Sequence, residues 1–70
     1  MNAAAIFDLV QKGLLVIGAL ISAGVSATPA IEALAKLVSG AQKETVTDAD
    51  LAQTEALLDS LLDEFNVDVP

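Results

Sequence analysis

The side chains in this sequence with the chemistry to act on a substrate are almost all carboxylates. There are ten Asp and Glu against three Lys, with no His and no Cys. The closest approach to a metal motif is Asp48-x-Asp50 followed by Asp59, which would be the twelfth position of a calcium loop opening at Asp48. Such a loop needs glycine where Gln53 stands and a ligand where Ala52 stands, and the intervening residues read as helix. The pattern therefore predicts no calcium site. Asp59, Asp63 and Glu64 are the carboxylates that could be paired for acid/base chemistry. Acid/base work of that kind needs burial that splits their affinities, and these three fall on the polar side of a helix. Ser22, Ser26, Ser39 and Ser60 have no histidine to activate them, and the lysines lie off their helical faces. We expect no catalytic, cofactor-binding or metal-binding residues, no small-molecule substrate and no enzymatic activity.

Charge narrows the partners. Residues 1–43 carry a net +1 and residues 44–70 a net −8, so a near-neutral apolar block is joined to an acidic one. Three scattered lysines would release few counterions from a phosphate backbone, and direct nucleic-acid binding is not expected. Absence of cysteine also removes disulfides, which chains of about this size often use to supplement a small core.

The elements that position these residues read as helices. Ala and Leu abound and aromatics are confined to Phe7 and Phe65, a composition that favours helix over strand. Ile6, Leu9, Val10, Leu14, Ile17, Leu20, Ile21 and Val25 recur at three- and four-residue spacing, predicting a first helix over 3–27 with Asn2 as its cap. Thr28-Pro29 opens a second helix over 29–39, with Gly40 ending it; one long helix kinked at Pro29 is the alternative. A connector at 41–47 leads to Thr47-Asp48-Ala49-Asp50, a Thr cap with acids in the first turn. The third helix then covers 48–64, and 66–70 form a tail. The fold class is all-α in a single domain, 1–70, with an apolar helical block at 1–40 and an acidic amphipathic helix at 48–65. Two or three helices are expected in a hairpin-like or extended arrangement that is completed by oligomerisation.

Two surfaces are candidates for that completion. Gly18, Ser22 and Ser26 are spaced by four, as are Ala19, Ala23 and Ala27, and such strips let a second helix backbone come close. On the third helix, Leu51, Leu58, Leu61 and Phe65 form an apolar stripe facing a partner. Gly13 to Ile31 is a run of nineteen uncharged residues, the length of a membrane-spanning helix. A break at Pro29 shortens it to about 24 Å of helix, and no Trp or Tyr marks an interface. The start of the chain lacks a positively charged leader segment and Asp8 sits early, so a cleaved secretory signal is not expected.

Val46-Thr47-Asp48-Ala49-Asp50-Leu51, running into Leu57-Leu58-Asp59 behind an alanine-rich apolar helix, resembles the layout of small bacteriophage and prophage helical proteins. The resemblance implies a virion part or a small membrane protein of a lysis cassette. Holin-like proteins usually carry a basic tail, and the tail here is acidic, so the first reading is preferred. The expected function is a non-catalytic viral structural or assembly protein, found in the virion or host cytoplasm. Its partners would be copies of itself or other viral structural proteins, engaged through helix–helix packing. The alternatives are a holin-like or virion membrane protein with helix 1 in the host bilayer, and an acidic inhibitor of a host DNA-binding protein.

Overall fold

The computed structural model describes residues 2–69, and in it three α-helices pack against one another: α1 (Ala3–Ser22), α2 (Thr28–Gln42) and α3 (Asp48–Phe65). The fold is all-α, as expected, and no strand occurs among the described residues. Each helix contacts both others, so the arrangement is a closed three-helix bundle rather than hairpin-like or extended. Its extents are 34 × 17 × 15 Å, the long axis being set by α1, whose twenty residues span about 30 Å.

Starts and stops follow from local chemistry. The Asn2 side chain accepts the Ala5 N–H at 3.1 Å and caps α1. At α3 a full capping box forms: Asp50 N–H donates to Thr47 Oγ1 at 3.1 Å, and Thr47 N–H donates to the Asp50 carboxylate at 2.9 Å. Pro29 sits in the first turn of α2, where its missing N–H leaves no helical bond unmade, and it separates two helices instead of kinking one. Thr28 is not the cap. Ala27 holds that position without a side-chain bond, and Ser26 Oγ accepts the Thr28 N–H at 3.4 Å.

The first helix stops at Ser22, five residues before the expected end at 27. Gly24 adopts φ 75°, which lets Val25 N–H reach back to the Leu20 carbonyl at 3.0 Å and close the helix end. The same closure ends α2 and α3, through Thr45 N–H to Gly40 O at 2.9 Å and Val67 N–H to Leu62 O at 2.9 Å. The left-handed residues there are Glu44 (φ 57°) and Asn66 (φ 54°). Gly40, expected to end α2, instead lies inside it, and α2 runs on to Gln42. Its missing side chain serves packing: a Cβ would lie 3.1 Å from the Val46 side chain, which folds back into the core.

The core is a line of residues on α1 at spacings of three and four: Ile6, Leu9, Gly13, Val16 and Leu20. Ala30, Leu34 and Leu37 of α2 and Leu58 and Leu61 of α3 meet it, with Ala27 and Val46 closing the loops. At Gly13 α1 and α2 pack with no room for a side chain, since a Cβ there would fall inside the Leu34 side chain. No polar side chain is buried among the described residues.

Candidate functional site

Each buried residue of α1 is followed by one turned about 100° round the helix. After Ile6, Leu9, Gly13, Val16 and Leu20 come Phe7, Val10, Leu14, Ile17 and Ile21. The second line is as apolar as the first, yet Phe7, Leu14 and Ile21 are exposed and Val10 and Ile17 only partly covered. α2 repeats the offset with Ile31, Ala35 and Val38 beside Ala30, Leu34 and Leu37. These lines meet in a shallow groove of about 520 Å³ lined only by α1 and α2 residues, none of them charged. An uninterrupted second apolar stripe beside a filled core is the pattern that helices use to receive further helices.

The opposite flank of α1 carries Asp8, Lys12 and the exposed Leu15, and Lys12 reaches α3. Lys12 Nζ lies 2.8 Å from an Asp59 carboxylate oxygen and 3.4 Å from one of Glu55. Its pKa is raised, chiefly because it donates a hydrogen bond to Asp59, with the charges of Asp59 and Glu55 adding to the effect against partial desolvation. Two of the acids on α3 thus pin that helix to α1 and leave Asp48, Asp63, Glu64 and Asp68 exposed to water.

The expected packing seam does not assemble inside the chain. Gly18, Ser22, Ala23 and Ser26 are exposed, Ala19 is half-buried and Ala27 is in the core. Nothing lies within 4 Å of a Cβ built on Gly18, and Ala23, Ser26 and Ala27 fall outside α1 altogether. The α3 stripe is also redistributed. Leu58 and Leu61 are buried against α1 and α2, Leu51 is half-buried, and of the four Phe65 alone is exposed, at 41%. The partner-facing role expected of that stripe is therefore taken up mostly within the bundle.

Residues missed by pattern reading are Phe7, Gly13 and Val16. The signal for them was present: the apolar residues of α1 form two parallel lines offset by one position, which merge into one broad face unless Gly13 is counted as a core position. No group of three or more His, Cys, Asp or Glu is placed to hold a metal ion among the described residues. No family model, curated protein or solved structure matches the chain.

Proposed function

We propose that the chain is a non-catalytic structural or assembly protein of the bacteriophage type, working by helix–helix packing with copies of itself or with a neighbouring virion protein. The observation that carries this reading is the uncharged apolar face of α1 and α2, left open on a bundle whose core is already filled. Such a face costs solubility unless something covers it, and exposed apolar patches of this kind mark interaction sites. The acidic outer side of α3 keeps the module soluble until that contact is made. Its viral setting is supported by the resemblance of the helical layout and the Val46–Leu51 segment to small phage proteins.

A second reading, a membrane protein with α1 in the bilayer, is favoured by one feature: α1 is long and apolar enough to cross a membrane, and only 28% of its apolar window is buried. Against it, the helix supplies Val16 and Leu20 to the core and Lys12 to the contact with α3. Fractionation of the tagged full chain in its native host separates the two. Recovery with particles or assembly intermediates is the expected result. Retention in carbonate-washed membranes would favour the bilayer reading and overturn this one.

A further inference from the structure

We infer that the open α1–α2 face is covered by a second copy of this chain, laid antiparallel, with the two-fold axis passing beside Leu14. This rests on the packing reading above and adds to it the occupant and the register. The α1 stripe is nearly symmetric about its middle member: Phe7 and Ile21 lie seven residues on either side of Leu14, Val10 four before it and Ile17 three after. Antiparallel copies therefore set Leu14 against Leu14, Phe7 against Ile21 and Val10 against Ile17, a register in which every apolar side chain meets another. A two-fold interface requires this self-complementarity of one patch.

The area fits the same occupant. Phe7, Leu14, Ile21, Ile31 and Val38 are 62, 60, 61, 50 and 42% exposed. Together they offer roughly 500 Å² of apolar surface, close to the apolar share (about 60%) of the ~800 Å² that each partner gives a standard interface. Charge points the same way. Each copy carries −7, which disfavours self-association through any face that brings the acidic helices together. The groove has no charged lining and no contribution from α3. Packing two α1–α2 pairs face to face keeps the acids of α3 out of the groove, and Asp68 of the tail, which borders a neighbouring depression with Leu14, is the acid nearest the axis. That net charge also opposes an anionic lipid surface, and an acidic or basic partner finds no counter-charge inside the groove.

The chain has no cysteine, so single substitutions in the full chain report on register without background. Under mild oxidation Leu14→Cys is expected to give a covalent dimer in high yield, with the helical circular dichroism unchanged because the site is on the surface. Phe7→Cys is expected to stay largely uncross-linked. In this register its two copies lie about 21 Å apart along the axis, against the roughly 7 Å that a disulfide tolerates between Cα atoms. Equal cross-linking of both variants would overturn the antiparallel register, and failure of both would overturn the second copy as occupant. Monomers that float with phosphatidylcholine vesicles would overturn it in favour of lipid. Failure here is distinguishable from failure of the packing reading. If neither variant cross-links but Leu14→Glu removes the chain from its assembly fraction, the face packs on another protein. If Leu14→Glu leaves it there, the packing reading itself fails.

Discussion

At Gly13 a methyl group would fall inside the Leu34 side chain, whereas at Gly18 it would meet nothing within 4 Å. Both glycines cost the helix about 1 kcal/mol relative to alanine, so the packing term decides the sign of each substitution. Gly13→Ala is expected to lower stability by about 1–3 kcal/mol, because Leu34 must leave its place in a filled core. Gly18→Ala should raise it by up to about 1 kcal/mol. Urea unfolding followed by circular dichroism reads both. A loss at Gly18→Ala as large as that at Gly13→Ala would return Gly18, Ser22 and Ser26 to the role of a packed seam. At this scale the sequence was legible where a side chain acts on its neighbours, as with Asn2, Thr47 and Asp50 at the caps. It was illegible where a residue works by being absent. A glycine reads as a gap in a pattern, so Gly13 was overlooked and Gly18, in a tidy repeat of small residues, was preferred.

Among the elements, α3 is held to α1 by apolar contacts of Leu58 and Leu61 and by one lysine between two carboxylates. The Lys12 side chain is a third exposed and its partners more than half, so water and salt screen the contact. Lys12→Met is expected to cost about 0.5–1 kcal/mol at low ionic strength and less in high salt. The pH dependence follows from the direction of the shift. Folding raises the Lys12 pKa above its ordinary value of 10.5, so its stabilisation is complete below that value. It is lost as pH rises through the still higher folded-state value. Wild type and Lys12→Met should therefore differ by a constant amount from about pH 7 to pH 10 and converge above the raised lysine value. A difference that persists after Lys12 is deprotonated would assign its effect to packing of the side-chain stem. Helix existence was legible at this scale, as were the start at Thr47 from its cap chemistry and the break at Pro29 from proline's place in a first turn, though the Thr28 cap expected there does not form. The end of α1 was not, since the expected helix over 3–27 runs straight through Gly24, whose left-handed backbone is what stops it.

For the whole molecule, the sequence divides apolar from acidic, and the fold turns that division into two sides of one bundle. Hydrophobic periodicity told which residues are apolar on α1 but not which of its two lines would be inside. That choice depends on where α2 and α3 sit, information that a single helix does not hold. The same limit reassigned Leu58 and Leu61 from a partner to the chain's own core. Among the apolar residues left exposed, Phe7, Leu14 and Ile21 form one line on α1, and the central claim is that this line meets its copy on a second chain. Sedimentation equilibrium of the full chain in detergent-free buffer, beside Leu14→Glu, tests this most directly. The account predicts a mass that rises to twice the monomer's with concentration and rises more readily in higher salt, which screens repulsion between copies of charge −7. Leu14→Glu should stay monomeric and equally helical. A wild-type chain that remains monomeric at every concentration, or a dimer that Leu14→Glu leaves intact, would contradict it.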